Sequence, residues 1–157
     1  KLGTTEKRSL ESISFKPLLD KIVSFMSAEG NGVKNKLKVD CEEDITIIVD
    51  KDEMTQVIVN LLLNAIEASE DEQEIRMVVK NKEDGICFSI IDQGRGMSED
   101  AMSKLCDPFY STKKTGTGLG MTVVHKILLE HNCDLKINSK ENEGTQITII
   151  FPELANG

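Results

Sequence analysis

Residues 51–69 constrain the fold of this chain more than any other segment. On a helix turning about 100° per residue, Val57, Ile58, Val59, Leu61, Leu62, Leu63, Ala65 and Ile66 cover nearly the whole circumference. A helix that is apolar almost all round must be buried, so other layers have to cover it. Asp50, with Glu53 three residues later, fits a capping box at its start. Gln56, Asn60, Asn64 and Glu67 fall within roughly 80° of one another, with Glu53 beside them. A narrow polar stripe on a buried helix has to meet polar partners. Nearby backbone groups or a ligand cleft can both supply them, and the stripe alone does not choose.

Three downstream blocks favour the ligand. The stripe lies in NLLLNA at 60–65; DQGRG follows at 92–96, PFY at 108–110 and GTGLG at 116–120. An asparagine oxygen is a hard, neutral ligand suited to a Mg²⁺ ion that keeps several waters. Glycine-rich turns let backbone approach a nucleotide, and N–H groups at a helix N-terminus bind phosphate. A lone DxGxG is most often an ordinary Asp-Gly turn. GTGLG could be mistaken for a dinucleotide loop, but that needs a strand directly before it inside a βαβ unit. Here a polar loop precedes it.

The remaining segments outline the layers. Phe15, Leu18, Leu19, Ile22, Val23 and Met26 recur at helical spacing. Leu37, Val39 and Cys41 alternate as a short edge strand, and 45–49 reads as a second strand. Residues 74–81 and 86–92 read as a hairpin about 82–85, and Ser98 as the cap of a short helix. Residues 106–117 read as a mobile loop, 118–131 as a helix, and 133–139 with 145–151 as a last hairpin. This predicts an α+β fold: a two-layer sandwich with a mixed, mainly antiparallel sheet of about five strands and three main helices on one face. Residues 1–12 are polar and read as a linker or the tail of a preceding helix.

With 157 residues, 39% apolar and 29% charged, the chain is long enough for one domain with a real core. The net charge of −8 argues against nonspecific nucleic-acid binding. No apolar run approaches the roughly 20 residues of a membrane span, so direct membrane insertion is not expected. Cys41, Cys87, Cys106 and Cys133 have no CxxC spacing and only His125 and His131 as possible co-ligands. They read as reduced, half-buried apolar residues of a cytoplasmic protein rather than a zinc site. Both histidines read as surface or helix-end residues. The chain opens on Lys1 rather than Met and reads as a piece of a longer protein.

In this order, the four blocks resemble the N, G1, F and G2 boxes of the ATP-binding catalytic domain of sensor histidine kinases, in the GHKL (Bergerat-fold) superfamily. The resemblance spans about Phe15 to Pro152. It implies Mg²⁺ bound by Asn64, with Asn60 supporting the phosphate–metal end and Glu67 and Ala68 completing the helix's share of the site. Asp92 would accept a hydrogen bond from the adenine amino group, flanked by Gly94, Gly96, Met97 and Thr145. Phe109 and Tyr110 would anchor a lid over ATP. Thr112, Lys113 and Lys114 would lie by the phosphates, with Lys113 reaching the terminal ones. Gly116, Thr117, Gly118, Leu119 and Gly120 would cradle them. Asn60 stands where related ATPases carry a water-activating glutamate, which favours transfer over hydrolysis. Ala68 replaces an aromatic that many members stack on adenine. NAIEA at 64–68 and FYSTKK at 109–114 look most like the nitrogen-regulation and sporulation subgroup.

The resemblance further implies that residues 1–12 lead from a dimerisation domain bearing the phosphoacceptor histidine, with 13–157 the catalytic domain. The parent would be a membrane-associated or cytosolic homodimeric sensor, acting through a response regulator. Two alternatives stand beside it: a serine protein kinase of the anti-sigma type, and a regulatory module that binds nucleotide without transferring phosphate. The lid block and the Asn60/Asn64 pair favour the histidine kinase.

Overall fold

The computed structural model describes residues 9–28, 36–42, 45–70, 72–106 and 117–152, with backbone alone for 104–106 and 117–120. In chain order the elements are β1 (Leu10–Ser14), α1 (Phe15–Ser27), β2 (Leu37–Cys41), β3 (Thr46–Asp50), α2 (Lys51–Ala68), β4 (Ile75–Lys82), β5 (Gly85–Asp92), α3 (Glu99–Cys106), α4 (Thr117–Glu130), β6 (Asp134–Lys140) and β7 (Gly144–Phe151). Five strands form the main sheet in the order β2-β4-β5-β7-β6. Only β2 and β4 run parallel; the other three pairings are antiparallel. The expected mixed, mainly antiparallel sheet with helices on one face is what forms.

Period-two patterning sets the register. Ile75, Met77 and Val79 on β4, Phe88 and Ile90 on β5, and Ile147, Ile149 and Phe151 on β7 are all buried. Pairing places Phe88 between Val79 and Ile149, and Ile90 between Met77 and Ile147. A one-residue slip would turn this apolar row to the opposite face. α2 packs on β5 and against α4, and α1 packs on β2 and α2. Phe15, the first residue of α1, joins the layers: its ring lies 5.2 Å from Phe88 and meets Phe151 edge-on at 5.5 Å.

The helix starts follow local chemistry. Asp50 Oδ1 accepts the Glu53 N–H at 3.1 Å, capping α2 as expected. Burial raises the pKa of Asp50, but the N–H groups of Glu53, Ser9 and Asp52 together outweigh it and hold the carboxyl below its ordinary value. Ser98 Oγ accepts the Ala101 N–H at 3.1 Å at the start of α3.

Two expectations are corrected, for the N-terminal segment and for α2. Leu10–Ser12 are not a bare polar lead-in: they belong to β1, which pairs antiparallel with β3 from Leu10↔Asp50 to Ser14↔Thr46. β3 therefore leaves the main sheet for a separate two-stranded one. α2 is not buried all round, because the sheet and α4 cover only part of its girth. Leu63 is 49% exposed, and Val59 and Ile66 are half-buried. His131 stands at the end of α4, one of the two expected placements, and is buried there. Its Nδ1 donates to Ile127 O at 2.9 Å, and its Nε2 accepts the Asp50 N–H at 3.1 Å. It latches the end of α4 to the start of α2. Among the described residues no helix is long and apolar enough to cross a membrane.

Candidate functional site

The end of β5 with the turn after it, the last turns of α2 and the start of β7 line a cleft of about 140 Å³. Its apolar wall comes from Leu61, Ala65, Ile90 and Ile147, and its remaining lining from Asn64, Glu67, Ala68, Asp92, Arg95, Gly96, Met97 and Thr145. Seven expected site residues thus meet in one place: Asn64, Glu67, Ala68, Asp92, Gly96, Met97 and Thr145. Asn60 lies one turn before Asn64 and is half-buried, but it is not part of this wall.

Two larger hollows are found among the described residues, and the second shares Glu67, Ala68 and Arg95 with the cleft. One of about 350 Å³ runs between β3 and the sheet end, lined by residues such as Ile47, Val49, Cys133 and Phe151. The other, about 760 Å³, is a polar trough beyond Gly94, with Glu70, Gln73, Gln93 and Asn142 in its walls. Neither contains Asn64, Asp92 or Thr145. Convergent polar groups on an apolar wall identify a site better than size does.

Asp92 is the buried carboxylate of the cleft, 7% exposed. β5 ends on it, and pairing sets it opposite Thr145. Its Oδ1 accepts the Gly94 N–H at 2.9 Å. Burial pushes its pKa above the ordinary value, against the opposing pull of the Gly94 and Thr145 backbone N–H groups and the Arg95 charge. Removal from water therefore outweighs the pull of these groups.

The glycines of the 92–96 turn serve the protein's own packing. A Cβ on Gly94 would run into the Ala68 carbonyl, and one on Gly96 into the Lys140 carbonyl. Gly96 also has φ +64°, where L side chains are disfavoured. Gly94 lets the turn lie against the end of α2, and Gly96 lets it lie against β6. The cleft forms because both contacts are close.

Arg95 completes this junction, and the sequence reading gave it no role. Its N–H donates to Ala68 O at 3.1 Å, its Nη1 donates to Glu67 O at 3.1 Å, and its carbonyl accepts the Asn142 N–H at 2.6 Å. A basic group on the last carbonyls of a helix satisfies orphan acceptors and complements the dipole. Its position inside the DQGRG block was the only available signal. Ser139 was also missed: its Oγ accepts the Met97 N–H at 2.9 Å and lies 2.7 Å from Thr145 Oγ1.

Of the phosphate-end expectations, Phe109, Tyr110, Thr112, Lys113, Lys114 and Gly116 lie outside the described residues. Thr117, Gly118, Leu119 and Gly120 form the backbone of the first turn of α4. The block therefore opens a helix of 14 residues, as expected. Cys41, Cys87 and Cys133 are free and half-buried. Burial, with Asp134 adding to it, pushes the Cys133 thiol up to about 12.

Several known proteins are similar to this chain in sequence or fold. Sporulation kinase E of Bacillus subtilis (strain 168) is 35% identical over 136 residues, covering 85% of this chain but 18% of the relative. Sensor histidine kinase ZraS of Escherichia coli (strain K12) is 30% identical over 145 residues, 92% of this chain and 31% of the relative. The chain thus spans less than a third of either. The nucleotide-free catalytic domain of histidine kinase ThkA superposes with a TM-score of 0.79 over 92% of this chain and 98% of that one, at 23% identity. The fold is that of histidine kinase catalytic domains. Residues 49–155 match the family described as histidine kinase-, DNA gyrase B- and HSP90-like ATPase, which supports ATP as the ligand. The chain belongs to this family of ATPase domains.

Proposed function

We propose that this chain is the catalytic domain of a sensor histidine kinase. It would bind Mg-ATP and donate the γ-phosphoryl group to a histidine on a separate dimerisation domain, for passage to a response regulator. The observation that carries the reading is Asp92, a buried carboxylate at the end of β5 that lines a cleft with an apolar wall.

In this reading the adenine amino group donates to Asp92. An ionised carboxylate only accepts, so a base bearing oxygen at that position is disfavoured. Ile90, Ile147, Leu61 and Met97 form apolar walls for the ring, and Ala68 leaves the stacking position without an aromatic. Asn64 sits on the cleft wall and offers a neutral amide oxygen, a donor that suits Mg²⁺. The residues present thus fit the ion, which would neutralise phosphate charge. Asn60 and Glu67 share the same face of α2 and would support the phosphate–metal end. Asn60 has no basic carboxylate with which to activate water, so the bound ATP is kept for transfer. Thr112, Lys113, Lys114 and the 116–120 block belong to the proposed phosphate end, with Phe109 as lid anchor. The protein's part in the reaction is orientation and charge neutralisation, the main contributions to phosphoryl transfer.

The test is transfer in trans. The chain is mixed with labelled Mg-ATP and a purified histidine-bearing dimerisation domain. The expected result is label on the partner that acid removes and alkali does not. Acid-stable label would indicate serine transfer instead. ATP binding with no label on any acceptor domain would favour a regulatory module.

A further inference from the structure

The polar end of the cleft is a chain of hydroxyls with a defined direction. β7 sets Thr145 opposite Asp92, and β6 sets Ser139 opposite Thr145. Ser139 Oγ accepts the Met97 N–H at 2.9 Å, lies 3.1 Å from Gly144 O and lies 2.7 Å from Thr145 Oγ1. A serine hydroxyl has one proton and two lone pairs. The Met97 amide can only donate and the Gly144 carbonyl can only accept. The Ser139 proton therefore goes to Gly144 O, one lone pair takes Met97 N–H, and the other takes the Thr145 proton. This is the one assignment that fills all three contacts. Thr145 Oγ1 then keeps only lone pairs for any other partner, and it stands beside Asp92, itself acceptor-only when ionised.

We propose that Ser139 is a specificity-determining positioning residue: by holding the Thr145 proton it makes the Asp92–Thr145 pair acceptor-only, so that a 6-aminopurine is preferred over a 6-oxopurine. This rests on the reading of the cleft as a base site. A 6-amino group brings two N–H donors. A 6-oxo group brings an oxygen toward groups that have no proton to give. Without Ser139, the Thr145 hydroxyl is free to turn and donate to that oxygen, and the preference narrows. The cleft's amino-versus-oxo choice is then set partly from β6, a strand that does not line it.

The experiment measures Mg-ATP and Mg-ITP affinity for the wild-type chain, Ser139→Ala, Ser139→Thr and the double variant Ser139→Ala/Thr145→Val, with thermal melts to check folding. Ser139→Ala is expected to reduce the ATP-over-ITP ratio by roughly threefold to tenfold. Ser139→Thr keeps the hydroxyl and is expected to retain the wild-type ratio. In the double variant no hydroxyl remains to donate, so weak ITP binding is expected to return. A folded Ser139→Ala that loses affinity for both nucleotides equally, with the ratio unchanged, would overturn the proposal, because Ser139 would then only brace the Met97 turn. A wild type that binds neither nucleotide would instead overturn the base-site reading itself.

Discussion

Asp92 holds function and stability in opposition. Its pKa is raised by burial, so between the unfolded value near 3.9 and the higher folded one, the folded state keeps a proton that the unfolded state has released. Stability contributed by this group therefore falls as pH rises through that window, and the full cost is present above it. Asp92→Asn removes the cost, and its side-chain oxygen can still accept from Gly94. The free domain is expected to melt no lower than wild type at pH 7, while ATP affinity drops by about tenfold or more. A matched pair of melting and binding curves checks both. ATP affinity of the wild type is also expected to weaken on acidification at a pH above the ordinary aspartate range, since protonated Asp92 loses acceptor capacity. At Gly96, an alanine would meet the Lys140 carbonyl at a positive φ. Gly96→Ala is expected to cost roughly 1–3 kcal/mol and to weaken ATP binding, read by denaturant titration and calorimetry. A Cys133 thiol held up to about 12 is expected to resist alkylation at pH 8 in the folded chain and to react readily in denaturant.

At the scale of elements, what the sequence shows is periodicity and capping. α1, α2 and the hairpins formed where their patterns placed them, because a 3.6-residue or two-residue repeat is a local signal. β1 was not legible: LESIS is five residues, mostly exposed, and its partner lies more than thirty positions away in β3. Nothing local distinguishes such a strand from a polar linker. The latch that His131 makes was missed for the same reason, since its Nε2 partner is the Asp50 N–H, 81 residues away. The site divided along the same line. Asn64, Asp92 and Gly96 sit in short motifs and could be read directly. Arg95 and Ser139 act through contacts between the 92–97 turn, α2 and β6, which only the fold brings together. The Asp50 cap supports its own expectation. Asp50→Ala should destabilise by about 1 kcal/mol in a denaturant titration at pH 7. Because its folded pKa is lowered, that contribution is present above the unfolded pKa and lost as pH falls through the folded value. The difference between wild type and variant should therefore shrink as pH falls below the unfolded value near 3.9 and through the lower folded one.

For the whole molecule, one apolar row does two jobs. Phe88 and Ile90 on β5, flanked by Val79, Met77, Ile149 and Ile147, carry the core. The same strand continues without interruption into Asp92 at the cleft. Register in the core therefore fixes the geometry of the site: a one-residue slip of β5 would bury its alternate residues and turn Asp92 out of the cleft. Phe15, fully buried between Phe88 and Phe151, pins the helical layer to that strand. Phe15→Ala is expected to cost roughly 3–5 kcal/mol and to lower ATP affinity only as far as the folded fraction falls. The measurement that tests the account most directly is Mg-dependent ATP binding by calorimetry, on the wild-type chain, Asp92→Asn and Asn64→Ala. The account predicts that the wild type binds, that both folded variants lose most of the affinity, and that Asn64→Ala also loses the dependence on Mg²⁺. A wild type that does not bind ATP, or an Asp92→Asn chain that binds as the wild type does, would contradict it.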